Sequence, residues 1–195
     1  MPDGPLELLR PPGGESGQLT RQARDSDFDG QPDLLVSFDA QQRIRSQELA
    51  GPGGRPNKKI LLNGNGDEER QCIDSSGDGR FDLVVFREGD ALRETWSAGA
   101  ELPGEDPRAD RRDFYQAGRL ERTEIDTRGD GRPDVVQTMG DDETVLRQDE
   151  DSDGDGRLDL RFENGRSVPV SDPPEAPSRL QKLDCGGFDR FWDTH

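Results

Sequence analysis

A nine-residue acidic pattern recurs in register along the chain and constrains its fold more than any other feature. DSDFDGQPD begins at Asp25, DSSGDGRFD at Asp74, DTRGDGRPD at Asp126 and DSDGDGRLD at Asp151, all aligned without gaps. Between the first two, LAGPGGRPN from Leu49 keeps Gly54, Arg55 and Pro56 but has lost the carboxylates. Between the second and third, EDPRADRRD from Glu105 is similarly eroded. The starts at 25, 49, 74, 105, 126 and 151 give steps of 24, 25, 31, 21 and 25 residues. A near-constant step of this size marks a repeat architecture, in which each unit buries its apolar surface against its neighbours.

The flanks repeat with the loops. After each comes a short β-prone run: LLVSF from Leu34, KKILL from Lys58, LVVF from Leu83, FYQ from Phe114, VVQT from Val135 and LRF from Leu160. The pairs Leu34/Val36, Leu83/Val85 and Leu160/Phe162 show the period of two that buries one face of a strand. Turn signals follow, such as Asn164-Gly165 and Asn63-Gly64-Asn65-Gly66, and suit tight hairpins. A second strand then leads to the next loop. Arg21, Arg45, Arg70, Arg122 and Arg147 each stand four residues before a loop start, with Glu101 breaking the series. They form either a ladder beside the loop carboxylates or a row of solvated arginines.

The predicted fold is therefore all-β: six tandem antiparallel hairpins of about 25 residues, joined by acidic loops over residues 18–171. A curved meander, a closed sheet and a β-propeller-like arrangement all satisfy this pattern. Residues 1–17, rich in Pro and Gly, read as a flexible arm. Residues 172–195 read as a loop and a capping segment carrying Phe188, Phe191 and Trp192.

Composition explains why the loops matter. Leu, Ile, Val and Phe total 38 of 195 residues, and the net charge is −17. That balance ordinarily denotes disorder, so something besides an apolar core must hold the hairpins. The acidity excludes a nucleic-acid binder, which needs a basic face. No apolar run reaches the ~18 residues of a membrane-spanning helix, so no membrane insertion is expected.

Calcium takes six to eight oxygens in flexible geometry. Carboxylates at loop positions 1, 3 and 5, a glycine at 6, a backbone carbonyl at 7 and a carboxylate at 9 supply such a shell. The first loop offers Asp25, Asp27, Asp29, the Gln31 carbonyl and Asp33. The last offers Asp151, Asp153, Asp155, the Arg157 carbonyl and Asp159. The Asp74 loop has Asp74, Ser76, Asp78, the Arg80 carbonyl and Asp82, with a neutral hydroxyl at position 3. The Asp126 loop keeps Asp126, Asp130, the Arg132 carbonyl and Asp134, but Arg128 stands at position 3. Two strong calcium sites, at the Asp25 and Asp151 loops, and two weaker ones, the Asp126 loop weakest, are the expectation. The Leu49 and Glu105 copies would bind none. Magnesium, which demands near-ideal octahedral geometry, suits such loops less well.

The D-x-D-x-D-G-x-x-D loops between strands resemble the calcium loops of integrin-type FG-GAP and VCBS repeats. The whole unit, with its Leu120, Arg122, Glu124, Asp126 approach, is similar to tandem repeats of myxobacterial secreted proteins and lipoproteins. The resemblance covers about 150 residues and is specific for the calcium loop. It implies a secreted or cell-envelope protein whose signal segment is absent from this sequence. The unit is shorter than an FG-GAP blade, although two units would supply the four strands of one blade.

Cys72 and Cys185 are too far apart in sequence for a zinc motif, and either form a long-range disulfide or remain thiols. One histidine, His195, leaves no His-dependent triad, and the carboxylate pairs are already explained by the loops, so an enzyme is not expected. Trp96, Trp192 and Tyr115 either pack internally or line a sugar site. The functional expectation is a calcium-stabilised extracellular or envelope module serving adhesion or protein interaction. Its partner would be another protein or a cell-surface glycan. The alternatives are a calcium-responsive switch, a carbohydrate-binding module and an inert spacer.

Overall fold

A computed structural model of the protein describes residues 18–99, 108–183, 185–189 and 192, and the backbone of 6–9. The chain is all-β, and among the described residues no helix is long and apolar enough to cross a membrane. It divides into two units, Met1–Phe81 with Asp184–His195, and Asp82–Leu183.

The first unit contains β1 (Leu6–Leu9), β2 (Arg21–Arg24), β3 (Leu34–Phe38), β4 (Ile44–Ala50), β5 (Pro56–Leu62) and β6 (Glu68–Ile73). Each strand pairs antiparallel with the next. The second contains β7 (Leu83–Glu88), β8 (Ala91–Ser97), β9 (Arg111–Gln116), β10 (Arg119–Ile125), β11 (Val135–Met139), β12 (Val145–Glu150), β13 (Leu160–Glu163) and β14 (Arg166–Pro169). Its strands also pair in chain order. Neither β1 with β6 nor β7 with β14 closes a ring. These are open meanders, not the closed sheet also compatible with the repeat. Nor are they propeller blades, because the ladder runs on past four strands in both units.

All six β-prone runs after the loops lie within strands: β3, β5, β7, β9, β11 and β13. Leu6–Leu9, inside the stretch expected as an arm, pairs with β2, and the rest of residues 1–17 lies outside the described residues. Asn164-Gly165 makes the expected two-residue hairpin, with φ of 51° and 72°, a left-handed pair that matches strand twist. Longer turns are tied by side chains. Asp39 Oδ1 accepts the N–H groups of Gln41 and Arg43, both at 2.9 Å. Asp142 Oδ1 accepts the Thr144 hydroxyl at 2.6 Å and the Thr144 N–H at 3.3 Å.

Those bonds favour the charged form. The Arg43 N–H chiefly lowers the Asp39 carboxyl below its ordinary 3.8, and the Thr144 hydroxyl chiefly lowers Asp142. A depressed folded pKa contributes stability above the ordinary value and loses it as pH falls through the folded one. Both carboxyls are therefore expected to titrate below 3.8 when followed by carboxyl NMR. A midpoint at or above that value for either would show that its turn bonds do not form in solution.

One row of side chains crosses each sheet near its loop ends. In the first unit successive cross-strand partners are Ala23, Leu35, Glu48, Lys59 and Cys72. In the second they are Val84, Trp96, Arg112, Glu124, Val136, Asp149, Arg161 and Val168. Leu35, Val84 and Val136 are buried, and so are Glu48, Glu124 and Asp149. This is the opposite face from the one expected, since Leu34, Val36, Leu83, Val85 and Leu160 are only half-buried and Phe162 is exposed; a period of two marks a strand without saying which face is covered. Each buried acid has a basic neighbour in the row. Lys59 Nζ lies 3.2 Å from Glu48 Oε1, Arg112 Nε donates to Glu124 Oε2 at 2.8 Å, and Arg161 Nε donates to Asp149 Oδ1 at 2.7 Å. Ion pairs thus fill places that a richer sequence would give to leucine.

Two of the arginines that precede the loops, Arg122 and Arg147, join this row rather than the loop carboxylates. Arg122 Nη2 lies 2.5 Å from Glu124 Oε1 and Arg147 Nε 2.8 Å from Asp149 Oδ2, each reaching two residues along its own strand. Arg21 Nη2 lies 2.8 Å from Asp189. Glu101 lies outside the described residues.

The C-terminal segment is a strap without regular strand. In the second unit it visits the loops in reverse order. Leu158 N–H donates to Pro174 O (2.9 Å), Ala176 N–H to Gly156 O (2.9 Å), Leu180 N–H to Gly131 O (2.8 Å) and Ala109 N–H to Gln181 O (3.2 Å). In the first unit Cys185 forms a disulfide with Cys72, their Cα atoms 6.4 Å apart. Lys59 Nζ donates to Gly187 O at 2.6 Å, and Phe188 packs on Phe81 with ring centroids 4.5 Å apart. Trp192 Nε1 donates to Glu48 Oε2 at 2.8 Å while its ring covers Ala23 and Leu35. Phe191 and His195 lie outside the described residues.

Candidate metal loops

The four acidic loops share one hydrogen-bond frame. The position-1 carboxylate accepts the N–H groups of positions 4 and 6: Phe28 and Gly30 on Asp25 (2.7 and 3.0 Å), and Gly77 and Gly79 on Asp74 (2.6 and 2.7 Å). Gly129 and Gly131 do the same on Asp126 (2.7 and 2.5 Å), and Gly154 and Gly156 on Asp151 (2.7 and 2.9 Å). The position-5 carboxylate accepts the N–H of position 7, as Gln31 on Asp29 (2.7 Å) and Arg157 on Asp155 (2.8 Å). The position-9 carboxylate accepts the N–H of position 2: Ser26 on Asp33 at 2.5 Å, Thr127 on Asp134 at 3.1 Å and Ser152 on Asp159 at 2.7 Å. The Ser152 N–H chiefly, and its hydroxyl next, hold the Asp159 carboxyl below the ordinary carboxylate value. Asp82, the last residue of the Asp74 loop, opens the second unit, where its carbonyl accepts the Ala98 N–H at 2.9 Å.

This frame also locates the eroded copies. The N–H that starts each loop bonds the carbonyl that ends the preceding one, as Asp74 to Asn57 (2.8 Å) and Asp151 to Asp134 (2.9 Å). By that rule the second loop starts at Ala50, whose N–H bonds Asp33 O at 2.8 Å, and closes at Asn57. The fourth runs from Ala98 to Asp110, with Gly99 N–H donating to Asp110 Oδ2 at 2.7 Å. These starts differ from Leu49 and Glu105, where the letters of the two copies align. Asp113, the aligned end of the Glu105 copy, instead lies in β9 and accepts the Thr123 hydroxyl at 2.7 Å. Residues 100–107 lie outside the described residues.

Position 6 needs glycine for two reasons. Its φ is 86° at Gly131 and 91° at Gly156, a region that side chains disfavour. At Gly54, Gly131 and Gly156, though not at Gly79, the position-7 side chain of the preceding loop also lies against it. A Cβ on Gly156 would stand 2.0 Å from Arg132 Nη1, and one on Gly131 would stand 2.5 Å from Arg108 Nη1. In the first unit a Cβ on Gly54 would stand 2.0 Å from Gln31 Oε1. Gln31 and Arg132, expected to serve through their carbonyls, thus also stack one loop on the next through their side chains.

Among the expected ligands the structure gathers two triplets. Asp25, Asp27 and Asp29 bring one oxygen each within 4.8 Å of one another, as do Asp151, Asp153 and Asp155. Opposite ligands of a calcium ion stand about 5 Å apart, so both triplets fit around one such ion. Their N–H bonds aim the carboxylates inward, and the exposure of Asp27, Asp29, Asp153 and Asp155 leaves the loops open to solvent. Asp126, Asp130 and Asp134 form no such triplet among the described residues. In the Asp74 loop Ser76 Oγ donates to Asp74 Oδ1 at 3.2 Å, and Arg80 N–H donates to Asp78 at 2.9 Å.

Of the aromatic residues weighed as sugar contacts, Trp96 packs on Phe86 with ring centroids 5.3 Å apart, and Arg112 sits 5.9 Å from its ring. Compared with known families and curated proteins, the chain matches no family model and no curated relative.

Proposed function

We propose that this protein is a calcium-binding repeat scaffold of the extracellular space or cell envelope, presenting its hairpin sheets to another protein or a surface glycan. The observation that carries the reading is the pair of convergent Asp triplets, at Asp25–Asp29 and Asp151–Asp155. The carboxylates repel one another when empty, and a divalent ion would turn that repulsion into a crosslink. The Cys72–Cys185 bond supports an oxidising compartment, where calcium near millimolar levels suffices even for weak loops.

The test is calorimetric titration of chelator-stripped protein with calcium, with magnesium as control. Two ions should bind, one per triplet, and Asp153→Asn with Asp155→Asn should remove one of them. At free calcium one hundred times the Kd, each site should add about 2.7 kcal/mol of stability. No heat of binding, together with a melting temperature indifferent to calcium and chelator, would overturn the reading.

A further inference from the structure

We propose that Arg128 is the resident cation of the Asp126 loop, giving that loop from within the chain the positive charge that the first and last loops take from an ion. Arg128 stands at position 3, where those loops have Asp27 and Asp153. Its guanidinium lies between two buried carboxylates. Nε is 3.7 Å from Asp134 Oδ2, which closes its own loop, and Nη1 is 3.4 Å from Asp151 Oδ2, which opens the next. Nη2 also donates to the Asp151 carbonyl. The two carboxylate side chains are only 5% and 3% exposed, so an unbalanced charge on either would be costly.

A guanidinium has five donors and no acceptor, and it stays protonated at any physiological pH. It therefore removes one ligand from the Asp126 loop and installs a permanent charge beside Asp151. The first consequence is that this loop stays ordered without metal. The second, which rests on the reading of the Asp151 loop as a calcium site, is that Arg128 opposes the ion there by like-charge repulsion. The arginine thus both clasps adjacent loops and sets the affinity of the last one.

The test uses the full chain with the first site silenced by Asp27→Asn and Asp29→Asn. Arg128→Ala should lower the melting temperature in chelator by about 3 °C or more and tighten calcium at the Asp151 loop about tenfold. Arg128→Asp, which completes the acidic pattern, should bind one additional ion. A residue that only braced the structure would weaken calcium when removed, so unchanged or weaker binding in Arg128→Ala overturns the inference. If the parent chain takes no calcium, the proposed function fails and the metal-free measurement alone decides the role of Arg128. In that case Arg128→Ala must melt lower than the parent and Arg128→Lys must recover part of the loss. Equal melting of all three overturns the inference.

Discussion

Glu124→Ala is expected to cost about 3–5 kcal/mol of stability, the range for breaking one side of a buried ion pair. Glu124 is 1% exposed and stands between Arg112, its partner across the β9–β10 ladder, and Arg122 on its own strand. The Arg112 side chain is itself only 13% exposed, with the Phe114 ring 5.1 Å away. Removing the carboxylate strands that guanidinium in low dielectric, with Glu94 at 3.7 Å as its remaining anion. Burying the pair was costly to begin with, so replacing both members by apolar residues should recover most of the loss. Arg112→Met with Glu124→Leu is the corresponding variant. The exposed Arg119–Asp141 pair, 2.9 Å apart with side chains 61% and 93% exposed, is the internal control. Asp141→Ala should change stability by no more than about 1 kcal/mol. Denaturant unfolding of the four proteins measures all of this. A Glu124→Ala cost no larger than that of Asp141→Ala would mean that the row is solvated.

The same row shows where the sequence is legible and where it is not. Loop starts and strand runs recur as identical letters in one register, and a period of two needs no knowledge of the partner strand. The repeat therefore locates the strand runs after all six loops and the two convergent triplets, but not β1, which lies ahead of the first copy. The ion-pair row was written more faintly. Two residues after each loop closes stand Leu35, Lys59, Val84, Arg112, Val136 and Arg161, alternately apolar and basic. That alternation appears only once the fourth loop is closed at Asp110, three residues before the Asp113 at which letter matching ends it, whereas the second closes at Asn57 either way. Backbone bonds, not side chains, define a loop that has lost its carboxylates. The stacking of Arg132 on Gly156 was hidden for a different reason, since a contact between successive repeats leaves no mark within either one. The path of the strap was not legible at all. Apart from the Arg179 guanidinium, which donates to Asp130 O at 2.9 Å, the bonds that set its course over residues 174–183 come from main-chain groups, which any sequence presents alike.

Reduction of the Cys72–Cys185 bond, or Cys185→Ser, is the remaining large effect expected. The bond spans 113 residues, and closing a loop of that size in the unfolded chain is worth about 5 kcal/mol in the entropic account, with about 2–5 kcal/mol typical when a native bond is lost. Its local consequence follows from what the strap covers. Trp192 shields Ala23 and Leu35, and with the Asp189 N–H (2.9 Å) it satisfies the buried Glu48 carboxylate. Freed from Cys72, the strap must hold by non-covalent contacts such as those, the Lys59 bond, the Phe81–Phe188 packing and the Arg21–Asp189 pair, and its ordering entropy opposes them. The two tryptophans separate the outcomes, because Trp192 lies in the first unit and Trp96 in the second. In native buffer with reductant, a Trp96→Phe protein should show red-shifted emission as Trp192 becomes hydrated, whereas a Trp192→Phe protein should not. Its unfolding midpoint should fall on reduction without the calcium stoichiometry changing, since neither triplet touches the strap through the disulfide. Unaltered Trp192 emission after complete reduction would show that packing and the Glu48 bonds hold the strap, leaving the disulfide to act only on the unfolded chain.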